Sequence, residues 1–372
     1  MGAALKKLTL RGFKSIAAIE EFPLRPLNVL IGANGAGKSN FVDFFRMLRA
    51  LADEALQTFV RERGGGDGFF HFGPKVTRQI FTRLEFGENV YEFELSPTVD
   101  NAIQIAAERV QYTGGQKLGS LKLIGSGSME SNLKKRKEDK ATFGVGRGVP
   151  AHVYDSVSNW TVYHFHDTSL LSSMRRDQSA RDSERFRHDA SNIAPFLLHL
   201  RENNEGSYQL IRDTIRLIAP FFDDFLLRPE KRGHEEQVRL EWQQKGSDFP
   251  FQPHHLSDGT LRFMCLTTAL MQPSLPATVL IDEPELGLHP YAISMLADLI
   301  QSASARTQVI ISTQSPTLLD FFEPEDVVVV NREKGHSTFE RLNAEQLKQW
   351  LEDYSVGELW QKNVVRGGPT HD

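Results

Sequence analysis

Eight consecutive residues, Gly32-Ala33-Asn34-Gly35-Ala36-Gly37-Lys38-Ser39, fit the pattern G-x-x-x-x-G-K-[ST] in full. The apolar run LNVLI, residues 27–31, precedes them and predicts a buried strand. From Asn40 onward, apolar residues recur at helical spacing. A strand, a glycine-rich turn and a helix in this order predict a loop that binds phosphate groups, and a glycine-rich turn without a ligand is the alternative.

The residue types of this loop explain why phosphate would bind there. Glycines let backbone N–H groups turn inward, and the N-terminus of the following helix adds a partial positive charge. Lys38 supplies a full charge, and we expect the hydroxyl of Ser39 to bind Mg²⁺. The sequence therefore predicts a nucleotide site that uses Mg²⁺.

A second apolar strand, Val279–Ile281, is followed by two carboxylates, Asp282 and Glu283. Because side chains alternate along a strand, we expect Asp282 to face the metal and Glu283 to face the attacking water. A carboxylate beside the terminal phosphate can orient that water and accept its proton, so Glu283 is the predicted general base. Taken alone, the pair would indicate a surface turn that opens a helix, but beside a phosphate-binding loop the catalytic interpretation is favoured.

The short motif Leu256-Ser257-Asp258-Gly259-Thr260 opens an apolar helix shortly before these carboxylates. Ser257 fits the N-cap position of that helix, with Gly259 in its first turn. Capping accounts for the serine but not for the small residues of the loop. The chain therefore carries the phosphate-binding loop near its start, this motif more than 200 residues later and the carboxylate strand after it.

The remaining sequence indicates an α/β fold. Strands and helices alternate from residue 256 onward, at the spacing of a mainly parallel sheet covered on both faces. Residues 79–123 alternate in polarity between turn residues and predict an antiparallel β layer. Residues 192–227 predict two amphipathic helices split at Asn203–Gly206, and Pro220 ends or kinks the second.

We expect five segments along the chain. The second is rich in small polar residues, glycines and charges, which indicates an exposed loop or a short charged helix. In order, the segments are an N-terminal lobe with the phosphate-binding loop and the antiparallel β layer (1–123), a flexible charged insertion (124–150), a helical subdomain (151–255), a C-terminal lobe with LSDGT and the carboxylate strand (256–345), and a C-terminal helix and tail (346–372).

The composition is that of a soluble globular protein. Of 372 residues, 40% are hydrophobic and 24% are charged, which is enough for a substantial core and too balanced for a disordered chain. A single cysteine, Cys265, excludes an intramolecular disulfide framework and a cysteine-rich zinc site. No apolar run approaches the length of a membrane span, and no signal-peptide pattern opens the chain, so we expect a cytoplasmic protein in a reducing compartment.

Charge patterning leaves a nucleic-acid partner open. The net charge of −5 gives no global positive field, so DNA or RNA would need a local patch. The basic run Lys134–Lys137, with Lys140, is interrupted by Glu138 and Asp139 and lacks interleaved aromatic residues, which favours a solvated loop. The arginines in residues 175–187 form a second positive cluster, or a mixed-charge helix, among acidic neighbours.

The order of the motifs and their sequences resemble the ATP-binding-cassette (ABC) ATPases. The resemblance is to their non-transporter branch of SMC, RecF and OLD-like proteins, including bacterial AAA ATPases of the AAA-21 type. DEPELGLHP, residues 282–290, is similar to the Walker B and D-loop of that branch, and LTLRGFKSI, residues 8–16, is similar to its N-terminal start. Ser191-Asn192-Ile193 and Leu359-Trp360 also match, so the resemblance spans nearly the whole chain.

The resemblance implies a P-loop NTPase with the fold of an ABC ATPase head: an antiparallel β lobe, a central mainly parallel sheet and a helical subdomain with the signature, here LSDGT. It implies ATP and Mg²⁺ as ligands, hydrolysis of ATP, and a signature that contacts the γ-phosphate held by a second subunit. The implied nucleotide-binding residues are Lys14, Ser15, Asn34, Gly35, Ala36, Gly37, Lys38, Ser39, Asn40, Ser257, Asp258 and Gly259, and the implied metal ligands are Ser39 and Asp282.

Several positions depart from the family pattern. Gln314 stands where many ABC ATPases have a switch histidine; glutamine can bond a γ-phosphate or a water but cannot titrate, so we expect Gln314 to act in slow or gated catalysis, or to be a polar cap at a strand end. His289 lies where transporters usually have aspartate and is either a reporter on the opposite site or a structural histidine. Gln79 is the nearest candidate for the Q-loop glutamine, although a solvent-facing strand residue is favoured there.

The resemblance also implies partners. A homodimer, or a larger even oligomer, would hold ATP between two copies. Relatives by motif act in anti-phage defence beside a nuclease or toxin effector, and no nuclease motif is recognisable in this chain, so we expect an ATPase that regulates or positions a separate effector. An ATP-gated DNA-binding clamp in recombination or repair is the alternative, and a transport subunit is disfavoured by the N-terminal and Walker B sequences.

Overall fold

The computed structural model describes residues 2–114, 119–138, 148–233, 235–365 and 367. The strands are β1 (Lys7–Phe13), β2 (Ile16–Pro23), β3 (Leu27–Ile31), β4 (Ile80–Phe86), β5 (Asn89–Pro97), β6 (Ile103–Tyr112), β7 (Lys122–Gly125), β8 (Trp160–Tyr163), β9 (Gln178–Ser179), β10 (Phe222–Leu226), β11 (Glu230–Arg232), β12 (Glu235–Val238), β13 (Glu241–Gln244), β14 (Pro250–Phe251), β15 (Thr278–Asp282), β16 (Gln308–Thr313), β17 (Val327–Glu333) and β18 (His336–Arg341).

The α-helices connect and cover these strands. They are α1 (Lys38–Ala52), α2 (Leu56–Glu62), α3 (Leu133–Arg136), α4 (Val149–Val157), α5 (Ile193–Asn203), α6 (Glu205–Ile218), α7 (Asp258–Met271), α8 (Pro290–Ser304), α9 (Pro316–Leu319), α10 (Ala344–Leu351) and α11 (Val356–Gln361). No helix of the described part is both long and apolar enough to cross a bilayer.

The central sheet confirms the predicted mainly parallel layer. Its strand order is β18-β17-β3-β16-β15-β8, and only the edge strand β18 runs antiparallel to its neighbour. Strands β3 and β16 are buried at every position, as expected for strands covered on both faces. One face packs against α1 and the antiparallel lobe, and the other against α5 to α8.

The N-terminal lobe contains the predicted antiparallel layer, a six-stranded sheet of order β2-β1-β4-β5-β6-β7. Burial alternates residue by residue along β4, because one face of the sheet packs on the core and the other is more open to solvent. Helix α1 lies between the two sheets, and its Phe41, Phe44 and Phe45 join strand residues of both in one apolar core. The sheets are therefore held on either side of the helix that follows the glycine-rich loop.

The apolar pattern after Asn40 forms two helices rather than one. Helix α1 ends at Ala52, and Glu54 takes a left-handed conformation with φ of 59°. The carboxylate of Glu130 accepts hydrogen bonds from the backbone N–H groups of Leu56 (2.9 Å) and Gln57 (3.0 Å) at the start of α2. This cap from a residue distant in sequence stabilises the start of a second helix, which the spacing of apolar residues alone does not predict.

The segment predicted as helical, residues 151–255, is mixed. Helices α5 and α6 form as expected, split at Asn204, but residues 222–226 continue as β10 and not as helix. Pro220 follows the end of α6, and Phe222 and Phe225 of β10 are both buried in the core, with an irregularity in the strand pairing between Phe222 and Asp224. Two small three-stranded sheets, β10-β13-β14 and β11-β12-β9, also lie in this segment.

The predicted mixed-charge helix at residues 175–187 is wrong. Only a short 3-10 turn, Ser173–Arg175, and the two-residue β9 form there. The side chain of Asn192 donates to the carbonyls of Asp182 (2.9 Å) and Arg185 (2.8 Å), which fixes the segment as an ordered loop. Charge pattern alone does not reveal a loop held by one buried amide.

The basic run lies on a single helical turn, α3. Lys134 and Lys135 form ion pairs with Glu54 at 3.2 Å and 3.6 Å, so two of its charges are engaged within the protein. Asp139 and Lys140 lie outside the described residues.

Candidate nucleotide-binding site

Three neighbouring parallel strands bring the predicted site together. Ile31 at the end of β3 pairs with Thr313 of β16, and Ser312 of β16 pairs with Asp282 of β15. Because parallel strands end at the same edge of a sheet, the glycine-rich loop, the carboxylates and Gln314 all follow at that edge. This is the edge at which open α/β sheets bind ligands.

The glycine-rich loop, residues 32–39, requires its glycines. Gly35 and Gly37 have φ of 79° and 118°, in the region that glycine favours, and Gly37 precedes α1 as its N-cap. A Cβ on Gly32 would lie 2.2 Å from the carbonyl oxygen of Val330, and one on Gly37 would lie 2.1 Å from Oγ of Ser337. Strands β17 and β18 therefore pack directly against the loop backbone at these two glycines.

Lys38 is buried in the loop, with 5% of its surface exposed. Its Nζ donates hydrogen bonds to the carbonyl oxygens of Gly32 (2.5 Å) and Ala33 (3.2 Å). Burial lowers the pKa of Lys38, and the negative charges of Glu283, Asp282 and Glu285 act in the opposite direction. The lysine charge thus faces the acidic end of β15, where it opposes the cost of burying those carboxylates.

The other loop residues divide into exposed and buried positions. Asn34, Gly35 and Ser39 are exposed, whereas Ala36 is buried beneath the loop. Asn34, Gly35 and Ser39 are therefore the positions of this loop that a ligand can approach from solvent.

The two carboxylates after β15 have different partners. Asp282 accepts a hydrogen bond from the hydroxyl of Ser312. Glu283 has a φ of 43°, its backbone N–H donates to the carbonyl of Ser312 (2.8 Å), and its side chain accepts a hydrogen bond from the amide of Gln314. A left-handed glutamate at a strand end is a strained conformation of the kind that clusters at functional sites.

Glu285 supports Gln314 and was not singled out by the sequence. Its carboxylate accepts hydrogen bonds from the hydroxyl of Thr313 (2.5 Å) and the backbone N–H of Gln314 (3.2 Å). Burial is the largest influence on this carboxyl and raises its pKa. Glu285 therefore fixes the backbone from which the Gln314 side chain reaches Glu283.

A histidine that follows β8 completes the contacts to the carboxylate strand. Nε2 of His166 lies 2.8 Å from the carbonyl oxygen of Asp282, and the His166 ring stacks on His164 with centroids 4.5 Å apart. Burial lowers the pKa of His164. The only sequence signal is a pair of histidines directly after a short strand. Gln79, by contrast, is exposed just before β4, where its side-chain amide donates to Glu94 (2.6 Å), and within the described residues it forms no hydrogen bond with the residues of this site.

Lys14 and Ser15 form the turn between β1 and β2, beside the loop. Nζ of Lys14 pairs with the carboxylate of Asp43 on α1 (2.6 Å). Oγ of Ser15 lies 2.7 Å from both Nδ2 of Asn40 and Oγ of Ser337, and Ser337 Oγ is also 2.6 Å from the carbonyl of Ala36. This hydroxyl and amide cluster joins the N-terminal turn and β18 to the glycine-rich loop.

A groove of about 670 Å³ opens beside this cluster, a size that fits a nucleoside. Lys14, Ser15, Asn40 and Arg332 line it on the side of the loop, and Arg332 also donates to the carbonyl of Gly35 (3.3 Å). The ring of Phe72, 58% exposed, forms another wall. Exposed aromatic rings of this kind provide stacking surfaces for bases.

The LSDGT motif lies at the start of α7. Oγ of Ser257 accepts a hydrogen bond from the backbone N–H of Thr260 (3.2 Å), as predicted for an N-cap. A Cβ on Gly259 would lie 2.5 Å from the carbonyl oxygen of Gly287, so this glycine permits contact with the loop after β15. Within the described residues, no hydrogen bond joins Ser257, Asp258 or Gly259 to the glycine-rich loop.

Two arginines hold this motif in place. Arg175, with only 4% of its side chain exposed, pairs with Asp258 (2.8 Å) and donates to the carbonyl of Thr168 (2.9 Å). Arg262 of α7 donates to the carbonyls of Phe165 (3.0 Å) and Leu286. The start of α7 is thereby tied to the segment after β8 and to the loop after β15.

Three further positions from the sequence have structural contacts. His289 is the N-cap of α8, and its Nδ1 accepts a hydrogen bond from the backbone N–H of Tyr291 (3.3 Å). Asn192 holds the loop before α5, as described above, and Leu359 of α11 is fully buried. None of these three bonds the glycine-rich loop within the described part of the chain.

This sheet, with a glycine-rich loop after β3 and two carboxylates after β15, has the fold of an ABC-type P-loop ATPase head. The chain belongs to the AAA_21 family, whose model, described as "AAA domain, putative AbiEii toxin, Type IV TA system", matches residues 27–320. No curated protein matches the chain.

Solved structures share this fold at low sequence identity. An SMC head bound to the C-winged helix domain of ScpA is 17% identical, with a TM-score of 0.53 over 93% of this chain and 99% of that chain. An Smc head domain with an extended coiled coil, bound to the C-terminal domain of ScpA derived from Pyrococcus furiosus, is 16% identical, with a TM-score of 0.51 over 94% of this chain and 99% of that one.

Proposed function

We propose that this protein binds and hydrolyses ATP with Mg²⁺, that two copies close on ATP, and that this change regulates or positions a separate nuclease or toxin effector in anti-phage defence in the cytoplasm. The observation that carries the ATPase proposal is the convergence of Lys38, Asp282, Glu283 and Gln314 at one edge of the sheet.

The glycine-rich loop supplies the phosphate contacts. Backbone amides of Asn34–Ser39 and the N-terminus of α1 offer donors and partial positive charge. Lys38 would exchange the carbonyls of Gly32 and Ala33 for phosphate oxygens, a stronger charge-assisted interaction. The nucleoside would lie in the adjacent groove, near Ser15 and Phe72.

Mg²⁺ fits the oxygen donors at the end of this loop. Ser39 presents an exposed hydroxyl, and Asp282 presents a carboxylate held by Ser312. Hard oxygen ligands of this kind, with substrate phosphates and waters, are what Mg²⁺ prefers. Bound there, Mg²⁺ would neutralise charge on the phosphates, with Ser39 and Asp282 as its protein ligands.

Glu283 and Gln314 would perform the catalytic step. Glu283 accepts a proton from the water that attacks the γ-phosphorus, and the bond between that phosphorus and the bridging oxygen of ADP breaks. Gln314 donates to the Glu283 carboxylate and holds it in one orientation. Positioned general bases contribute roughly 10²–10⁴-fold to such rates.

The LSDGT motif supports a role for a second copy. Within the described residues, Ser257 and Gly259 make no hydrogen bond to the glycine-rich loop of their own chain. The N-terminus of α7 nevertheless offers backbone amides and a serine hydroxyl suited to a phosphate. In a symmetric dimer, the LSDGT motif of each copy would contact the ATP bound to the other copy, so both ATP sites would be used.

The comparisons favour a protein partner, and the nuclease or toxin identity of that partner is taken from the motif resemblance. The family description names a toxin and a type IV toxin-antitoxin system, and the similar SMC heads are bound to ScpA domains. A DNA clamp receives little support from α3, because Lys134 and Lys135 are paired with Glu54.

The ATPase and clamp proposal is tested with Glu283→Gln. Removing the base leaves ATP uncleaved, so the variant with ATP and Mg²⁺ is expected to have the mass of a dimer by light scattering. The double variant Glu283→Gln with Lys38→Ala is the matched control and is expected to remain a monomer. A monomeric Glu283→Gln protein that still turns over ATP would contradict the mechanism.

The defence role is tested separately in cells that carry this gene with its chromosomal neighbours. We expect wild type to reduce phage plaque counts and Glu283→Gln to abolish that reduction. If plaque counts do not change while recombination frequency does, the repair clamp replaces the defence function.

A further inference from the structure

Asp258 places a negative charge inside the phosphate-facing motif of α7. It is the first residue of the helix, between Ser257 and Gly259, and 68% of its side chain is exposed. Its carboxylate lies 2.8 Å from the guanidinium of Arg175, whose side chain is 4% exposed. An open carboxylate and a buried cation therefore meet at the start of this helix.

The remaining donors of Arg175 are occupied by neutral groups. They contact the carbonyl oxygens of Thr168 (2.9 Å), Leu256 (3.4 Å) and Pro253. In the described part of the chain, Asp258 is the one carboxylate that forms an ion pair with Arg175. The pair is formally neutral, so Asp258 removes a positive potential that Arg175 and the helix N-terminus would otherwise present to a phosphate.

We propose that Asp258 is an electrostatic brake on the closing of two copies over ATP. This inference rests on the proposed ATP-dependent dimer and adds how its strength is set. When Ser257 and Gly259 approach the γ-phosphate held by the second copy, the carboxylate between them approaches the same anion. The repulsion acts within a few ångströms, well inside the screening length of about 8 Å at physiological salt.

The proposed repulsion comes from the charge of Asp258 and not from the shape of its side chain. Asparagine at position 258 keeps an oxygen that can accept the Arg175 hydrogen bond, so Asp258→Asn removes charge while retaining that contact. Glu202→Gln removes one negative charge from an exposed position on α5, outside the motif, and controls for net charge.

The experiment measures the ATP-dependent dimer dissociation constant by analytical ultracentrifugation, with every variant in the Glu283→Gln background. Asp258→Asn is expected to lower the dissociation constant of the dimer about tenfold, while Glu202→Gln leaves it within about twofold of the parent. Raising NaCl from about 0.05 M to 0.5 M should narrow the gap between parent and Asp258→Asn, because salt screens the repulsion.

The outcomes separate this inference from the function on which it rests. If the parent dimerises and Asp258→Asn is equal or weaker, the brake is overturned and the dimer stands. If only Asp258→Asn dimerises, the brake is supported in its strongest form. If neither protein dimerises, both the brake and the ATP-dependent dimer are overturned. Should Asp258→Asn unfold at a lower temperature than the parent, Asp258→Ser, which also offers an oxygen to Arg175, replaces it in the same comparison.

Discussion

The side-chain amide of Gln314 donates a hydrogen bond to the carboxylate of Glu283, across the ends of two neighbouring strands. The contact follows from strand register: Ser312 pairs with Asp282, so the residues just beyond each strand end meet. The glutamine carbonyl oxygen is left to accept a hydrogen bond from a water. A glutamine at this position can therefore orient both the base and the water without changing its own charge.

Loss of this contact is expected to slow hydrolysis and spare binding. Gln314→Leu removes the amide at similar size, so we expect kcat to fall about 10–100-fold with little change in the Kd for ATP. Gln314→His restores a ring N–H donor and should retain more activity than Gln314→Leu. Steady-state phosphate release and ATP titration measure the two quantities, and equal losses in both would assign Gln314 to ATP binding.

The Ser39 hydroxyl is expected to act through Mg²⁺. Ser39→Ala removes one oxygen ligand without disturbing a buried contact, since Ser39 is exposed. Calorimetry should show ATP affinity reduced about tenfold or more with Mg²⁺ and unchanged with EDTA. A loss of equal size in EDTA would mean that Ser39 contacts the nucleotide itself.

Alanine substitutions at different glycines of the loop are expected to destabilise the protein by different amounts. Gly32→Ala would place a Cβ 2.2 Å from the Val330 carbonyl oxygen, so β17 or the loop must move and the melting temperature should fall clearly. At Gly35 a Cβ meets open space and only the left-handed backbone is strained, at a cost of about 1–2 kcal/mol. Thermal unfolding without nucleotide should rank Gly32→Ala below Gly35→Ala, and the reverse order would contradict the packing.

Glu285 should make stability depend on pH. Burial raises its pKa above the ordinary 4.5, so the folded state holds this proton more tightly than the unfolded chain does. The resulting stabilisation is complete below about pH 4.5 and is lost as pH rises through the raised pKa. Glu285→Gln removes it, so the melting temperature of the variant minus that of wild type should increase between about pH 4.5 and 7. Glu352→Gln, at an exposed position on the C-terminal side of α10, should give a flat difference.

Much of the fold could be predicted because its signals are local. LNVLI, VLID and VIIST are continuous apolar runs that become β3, β15 and β16, and the alternation in residues 80–86 becomes β4. The family model and the SMC heads confirm the ABC-type fold that the motifs indicated. The roles of individual site residues remain predictions for the experiments above.

Contacts between distant residues could not be predicted from the sequence. Glu130 caps α2 from 74 residues away, and Arg175 reaches Asp258 across 83 residues. Neither Glu130 nor Arg175 belongs to a motif that predicts its contact, because the two partners come together only once the sheets have packed. His166 gave a weak signal after β8, and Ser337 gave none.

The contacts of Ser15 and Ser337 with the phosphate loop and α1 bear on which fragments of the chain would keep that loop in place. Both serines lie outside residues 27–320, the part matched by the family model, yet they hold Asn40 and Ala36 from either side. A fragment trimmed to the matched residues would keep the glycine-rich loop, LSDGT and the carboxylate strand, and would lose the two serines that contact Asn40 and Ala36. A fusion or truncation that is to keep these contacts must therefore retain the segments around both serines together with residues 27–320.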